Sequence, residues 1–245
     1  MTVISQPRYL PTLNYLQRFV FADEFIVLDS IQRQARDFEN RNKILLNGTP
    51  TWLTMPIASS SRAMIKDTAI AGTDWIDNHH QRIRSCYCNH PHFDGDLLAT
   101  SYEAMKAAQE QSGNDFTETI SACYRVWFDH FGLPFSIIRA SKIEAENPGC
   151  PEKGPAKLLW LCQQRNANTY VSGPNGADYG IEDYFRDDTI PCVYHVHTPP
   201  QYPQPGQPEF VPWQGLYDSL FCMGRDWVKR ELTSPPNLRK PDHHE

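Results

Sequence analysis

The sequence predicts a single α/β domain over residues 1–245, Rossmann-like, with a mainly parallel sheet, a β-hairpin and a helical insert. Three observations predict it. Short apolar runs alternate with segments of helical period towards both ends of the chain, an Asn-Gly pair separates two strand-like runs, and the stretch from Asp74 to His130 has a helical pattern.

The first run, "TVIS", ends at Gln6 and Pro7 and reads as a buried strand entering a loop. In "TLNYLQRFVFAD" the residues Leu13, Leu16, Phe19 and Val20 share one helical face, and "EFIVLDS" is a second strand with Asp29 at its end. Such a βαβ unit makes the two strands parallel and places the "QPRYLP" loop and Asp29 on the same carboxyl rim, where ligands of these sheets collect. "NRNKILLNGTPTWLTMPI" holds two β-type runs around Asn47-Gly48, a strong hairpin signal, and "SSSRAM" reads as a mobile loop. The helical insert, about 74–131, breaks near Pro91 and at "SGND", where Ser112 or Asn114 is positioned to cap the helix carrying Phe116, Ile120, Cys123, Tyr124 and Trp127. Alternation then resumes with a strand in "FSIIRAS", a helix in "GPAKLLWLCQQRN" and strands in "TYVSG" and "PCVYHVH". A proline-rich arm and an apolar helix, about 198–232, close the domain.

Composition narrows the function. Lys and Arg number 23 against 29 Asp and Glu, a formal charge of −6, and no basic run occurs, so nucleic acid is not the expected partner. The N-terminus lacks a leader pattern and no run reaches the length of a membrane span, so a cytoplasmic protein without membrane insertion is expected. Seven cysteines, an odd number without a secreted-domain pattern, fit reduced thiols. Six Trp and 11 Tyr include many in polar, proline-rich stretches, where such rings serve flat ligands or ordinary packing.

Several residues are candidates for chemistry. Pro7 and Pro11 stiffen a loop that presents Gln6 and Tyr9, as substrate contacts or as plain scaffold. Asp29 ends an apolar strand, where a carboxylate must be solvated, paired or functional. In "ENRNK", Asn40, Arg41 and Asn42 put a planar fork between two amides: Arg41 is suited to a carboxylate, phosphate or oxyanion, or to a structural pair with Asp29. His79 stands four residues after Trp75 on one helix face, as a general base or as a buried structural histidine. Cys86, Cys88, His90 and His92 alternate as an extended metal clamp would. The close thiolate spacing and Pro91 argue against zinc, and the segment reads better as a helix end; no metal or cofactor is expected. His195 and His197 share a strand face without a third ligand. The two glycines of "SGPNG" follow a strand and can bring backbone N–H groups to an anion, but neither a phosphate-loop lysine nor dinucleotide glycine spacing is present.

The stretches "QPRYLPTLNYL", "ADEFIVLDSIQ", "NRNKI", "GTPTWLTMPI", the step from Trp75 to His79, "CYCNHPHF", "YVSGPNGADY" and "YPQPGQPEF" with "LYDSLFCMG" run in order from Gln6 to Gly224. Together they resemble the WbqC-like family, whose members are encoded among genes for O-antigen, other bacterial surface polysaccharides and related products. The resemblance adds Tyr179, Tyr202, Gln204 and Asp218 to the substrate-binding candidates, while Gly215 and Cys222 depart from its usual serine and asparagine. It implies acyl or aminoacyl transfer, glycyl included, to an amine or hydroxyl of a nucleotide-linked sugar or similar small acceptor. The donor would be an acyl- or aminoacyl-carrier protein or a CoA thioester. On this reading Asp29, Arg41 and His79 are catalytic, and Gln6, Tyr9, Asn40 and Asn42 orient substrate. No serine elbow is present, which favours direct transfer. Alternatives are a non-catalytic sugar- or carrier-binding module and a nucleotidyltransferase-like enzyme, the latter lacking its HxGH signature.

Overall fold

The computed structural model describes residues 1–34, 37–60 and 62–241, so Ser61 of the "SSSRAM" loop lies outside the described residues. Strand β1 (Thr2–Ser5), helix α1 (Leu13–Phe21) and strand β2 (Glu24–Val27) form the expected βαβ unit, with Thr2 opposite Glu24 and Ser5 opposite Val27 in parallel register. Side chains alternate across the strands as the pleat requires. Val3, Phe25 and Val27 face one core with Leu16 and Phe19 of α1, while Ile4 and Ile26 face a second core on the other side of the sheet.

Strands β3 (Arg41–Leu46) and β4 (Thr49–Thr54) make a separate antiparallel sheet. Its turn residues Asn47 and Gly48 have φ of 48° and 80°, the two positive values that a type I′ turn demands. Helices α2 (Asp74–Tyr87), α3 (Gly95–Gln111) and α4 (Phe116–Phe131) follow. The α4 cap differs from the sequence expectation: Asp115 Oδ1 accepts from Glu118 N at 2.9 Å, and Ser112 Oγ instead accepts from Asp115 N. A carboxylate at the N-cap also meets the helix dipole, which a serine or an asparagine does not do with a charge.

The chain then returns to the sheet. Strand β5 (Ile138–Arg139) is shorter than "FSIIRAS" suggested, because helix α5 (Ala140–Glu146) begins at once. Helix α6 (Pro155–Gln164), strand β6 (Tyr170–Ser172), a 3₁₀ turn (Pro174–Tyr179), helix α7 (Ile181–Phe185) and strand β7 (Cys192–His195) continue the alternation. Helices α8 (Leu216–Met223) and α9 (Arg225–Thr233) lead to β8 (Leu238–Arg239), antiparallel to β7 and not foreseen from the sequence. The strand order is β5-β2-β1-β6-β7-β8. Connections from β1 run one way to β2 and β5, and those from β6 run the other way to β7, which makes β1 and β6 the switch point of the sheet. Among the described residues no helix is long and apolar enough to cross a membrane.

Asp29, 0% exposed, belongs to the frame at this rim. Its carboxylate accepts from Arg139 Nε at 2.5 Å, Ser141 N at 2.9 Å and Ser141 Oγ at 2.7 Å. Arg139 Nη1 continues to Asp115 at 2.8 Å and Glu118 at 3.4 Å. The structural pair proposed between Asp29 and Arg41 is therefore replaced by one with Arg139, whose entry into α5 brings its guanidinium directly beside the end of β2. Removing one member of a buried pair strands the other. Asp29→Asn is expected to cost about 3 kcal/mol, a fall of roughly 6–12 °C in Tm. A variant that melts with the wild type while losing substrate binding would return Asp29 to the functional residues.

Candidate functional site

The carboxyl rim of the sheet is built by the loops after β1, β2, β6 and β7. After β1, "QPRYLP" is held from below. Tyr15 Oη donates to the Gln6 carbonyl at 2.8 Å, Tyr124 Oη to the Arg8 carbonyl, and Asn42 Nδ2 to the Leu10 carbonyl at 2.5 Å. Leu10 takes a φ of 45°, a cost for a γ-branched residue that this clamp supports. Gly215 touches the same spot, where a Cβ would sit 2.8 Å from the Leu10 carbonyl oxygen, so the usual family serine has no room in this backbone arrangement.

Side chains of the loop divide between interior and rim. Tyr9 turns inwards, 1% exposed, and its hydroxyl lies 2.8 Å from both His79 Nδ1 and Tyr102 Oη. Trp75 packs edge-on to Tyr9 and His79, as the four-residue spacing on α2 allows. Burial, with Arg82 adding, lowers the His79 pKa to about 4, so the imidazole is neutral at pH 7 and a weak base there. Gln6 is half-buried, and its side-chain amide makes no hydrogen bond among the described residues.

Beyond β2, Glu39 is a group that the sequence reading passed over. Its backbone carbonyl accepts from Tyr9 N at 2.8 Å, and both carboxyl oxygens lie 3.2 Å from Gln34 N. Burial raises its pKa to about 7; Asp37 adds to the rise, while the Gln34 N–H, Arg33 and Arg8 oppose it. Arg8 lies over the rings of Tyr15 and Phe38, at 5.7 and 5.6 Å, and Phe38 packs 5.5 Å from Trp52. The Arg41 guanidinium stacks 4.2 Å above Trp52, with Lys43 on the same ring at 5.0 Å. Cations and rings thus form one packed series from Tyr15 through Arg8, Phe38 and Trp52 to Arg41 and Lys43.

The other candidate residues have different surroundings. Asn40 Nδ2 donates to the Met55 carbonyl at 2.7 Å, so both amides of "ENRNK" hold backbone, joining the hairpin to its neighbours. Tyr202, Gln204 and Asp218 meet each other: Asp218, 1% exposed, accepts from Tyr202 Oη and Gln204 Nε2, each at 2.7 Å, and from Tyr87 Oη at 3.1 Å. This pins the proline-rich arm to α8 and α2. Burial raises the Asp218 pKa and these donors oppose the rise. Tyr202 also lines a shallow groove with Asn14, His197 and Trp213. Tyr179 is 69% exposed on the 3₁₀ turn.

Cys86 lies in the last turn of α2 and Cys88 follows as its C-cap, so the alternation of an extended clamp does not arise in "CYCNHPHF". Among the described residues no group of three or more His, Cys, Asp or Glu is placed to hold a metal. A cleft of about 590 Å³ opens nearby between α3 and α9, lined by Arg84, His92, Asp94, His130 and Arg225 among others, and not by Gln6, Asp29 or Arg41.

Two histidines make the fold acid-sensitive. His79 and His195 both have pKa values lowered to about 4, first by burial. Their neutral forms favour the folded state, so this stabilisation is complete above pH 6.5 and is lost as pH falls towards 4. His79→Gln should flatten the acid limb of stability against pH by roughly 2 kcal/mol. Denaturant melts from pH 7 to 4 test this, and parallel curves for variant and wild type would refute it.

A Mycobacterium tuberculosis (strain ATCC 25618 / H37Rv) protein, "Uncharacterized protein Rv1507c", is 28% identical over 227 residues, covering 91% of this chain and 94% of the relative. No solved structure matches. The model of the WbqC-like protein family matches residues 6–230, which includes every rim residue described above, and the chain belongs to that family.

Proposed function

We propose that the protein transfers an acyl or aminoacyl group, glycyl included, from an activated donor to an amine or hydroxyl of a nucleotide-linked sugar or similar small acceptor. The setting is bacterial surface-polysaccharide or related biosynthesis, and the donor is a carrier-protein or CoA thioester. The observation that carries the reading is Glu39, a carboxyl that burial to 1% exposure raises to a pKa of about 7, with Arg33 and Arg8 as the cations acting on it. A proton acceptor near the working pH is what an attacking hydroxyl or ammonium requires.

In this mechanism Gln6 orients the acceptor and Glu39 takes its proton as the oxygen or nitrogen attacks the thioester carbonyl. Arg41 steadies the carbonyl oxygen as it gains negative charge. Collapse breaks the carbon–sulfur bond, and Glu39 returns the proton to the leaving thiolate. Glu39 replaces Asp29 and His79 in the proton role because Asp29 is committed to Arg139 and Ser141, and His79 is a weak base. That same commitment of two expected catalytic groups to the frame favours a second reading, a non-catalytic sugar- or carrier-binding module.

Glu39→Gln is expected to lower kcat by about 10²–10⁴ with little change in KM, and to remove the pH limb near 7. Its effect on stability has a definite sign. Glu39 favours the protonated form in the fold, so its contribution is present below pH 4.5 and lost as pH rises through 7. Glu39→Gln, which mimics that form, should therefore raise Tm at pH 8 and leave it unchanged at pH 4.5. Full turnover by Glu39→Gln would remove Glu39 from the mechanism. Tight acceptor binding without transfer from any thioester would establish the binding-module reading in its place.

A further inference from the structure

Arg18 is a cation that the fold buries without an anion. It lies on α1, is 9% exposed, and its side chain runs back towards the carboxyl rim. Its Nε donates to His195 Nδ1 at 3.4 Å, while His195 Nε2 lies 3.0 Å from Gln17 Oε1. An amide oxygen only accepts, so Nε2 carries the ring proton and Nδ1 presents a lone pair. His195 therefore offers Arg18 a dipole, with no negative charge. The other groups that act on Arg18 are Arg8, Tyr15 and Tyr170; burial and Arg8 lower its pKa to about 10. Among the described residues no carboxylate acts on Arg18; Arg8 feels the Glu39 carboxyl but forms no ion pair with it. An unpaired buried guanidinium lowers stability, which gives an anionic ligand a reason to bind there.

The Arg18 guanidinium lies at the switch point, packed against the chain as it leaves β6. The terminal nitrogens of Arg18 face Gly173, the first residue after β6: a Cβ built there would stand 3.0 Å from Nη2 and 3.4 Å from Nη1. Gly173 has an ordinary φ of −71°, so its lack of a side chain serves to admit the guanidinium and not a special conformation. Arg8 reaches the same region from the loop after β1, where its guanidinium lies over the Tyr15 ring.

We infer that Arg18 and Arg8, with the loop beginning at Gly173, bind a phosphate group of a phosphorylated small molecule between the carboxyl ends of β1 and β6. A planar carboxylate is filled by one guanidinium fork, whereas a tetrahedral phosphate has oxygens for two forks from different elements. The site names the phosphate end of the proposed acceptor and rests on the transfer reading only for the rest of that molecule.

Inorganic pyrophosphate is the probe, with acetate at matched ionic strength as the carboxylate control, in calorimetry and thermal melts of the full chain. Pyrophosphate should bind and raise Tm, and acetate should do neither. Arg18→Met should melt at or above the unliganded wild type and bind pyrophosphate at least tenfold more weakly. Gly173→Ala, compatible with the backbone, should weaken binding as much by placing a methyl against a retained charge. Wild type indifferent to pyrophosphate, or binding unchanged in either variant, overturns the site; equal stabilisation by acetate overturns phosphate as its ligand. Arg18-dependent binding without acyl transfer to any acceptor leaves the site standing and defeats the transfer reading, while transfer unaffected by Arg18→Met defeats the site alone.

Discussion

The guanidinium of Arg139 joins the ends of three elements that have little else in common. Strand β5 is two residues long, and its pairing of Ile138 and Arg139 with Ile26 and Val27 is a weak attachment by itself. Asp29 strengthens it by taking Arg139 Nε and by accepting from Ser141 N in the first turn of α5, where a negative charge also meets the helix dipole. Asp115 caps α4 with one oxygen and takes Arg139 Nη1 with the other, so the three helices between 74 and 131 are fastened to the parallel sheet at the same point. The Asp29 carbonyl accepts from Lys66 N at 2.7 Å, which fixes the start of the segment leading towards Glu39. Functional groups on neighbouring loops need such a rigid support, and Asp29 serves them as frame.

The loop after β1 poses a different accounting problem. Its prolines remove donors but keep their carbonyls, leaving acceptors to be satisfied in a buried setting. Tyr15, Tyr124 and Asn42 supply side-chain donors to Gln6, Arg8 and Leu10, and Leu216 N donates to the Pro11 carbonyl at 3.0 Å. These partners come from α1, α4, β3 and α8, so the loop is positioned by four elements at once. Tyr9 drops into the interior, and Gln6 and Arg8 before it remain half-buried at the rim.

Periodicity made the βαβ unit, the hairpin turn and most helices legible, because each depends on residues close in sequence. The site was less legible for a physical reason. That a carboxylate closing an apolar strand must be paired could be read at Asp29, but its partner is 110 residues away and no local pattern announces it. Asn40 and Asn42 looked like ligand-reading amides, yet their partners are the backbone carbonyls of Met55 and Leu10, brought near by the hairpin's pairing and by packing on the first loop. Tyr202, Gln204 and Asp218 did converge, although what they hold together is the arm. Arg18 was hidden by a helix that is buried on nearly every side: Leu13, Tyr15, Leu16, Gln17, Arg18 and Phe19 are all inside, whereas a one-face reading sends Gln17 and Arg18 to solvent.

Gln17 and Arg18 show how distant parts of the chain bear on the rim. Gln17 Nε2 donates to the Ser234 carbonyl at 3.1 Å and Oγ at 3.0 Å, and to the Glu231 carbonyl at 3.3 Å, which fixes the amide with Oε1 towards His195. That orientation selects the His195 tautomer, and the tautomer turns a lone pair towards Arg18. The end of α9 thus orients a cation at the switch point through one amide and one imidazole without neutralising it. A net charge of −6 describes attraction for long polyanions and says nothing of a single enclosed charge, whose field is local and poorly screened. An acidic chain can therefore present Arg8 and Arg18 to one small anion while its net charge stays negative.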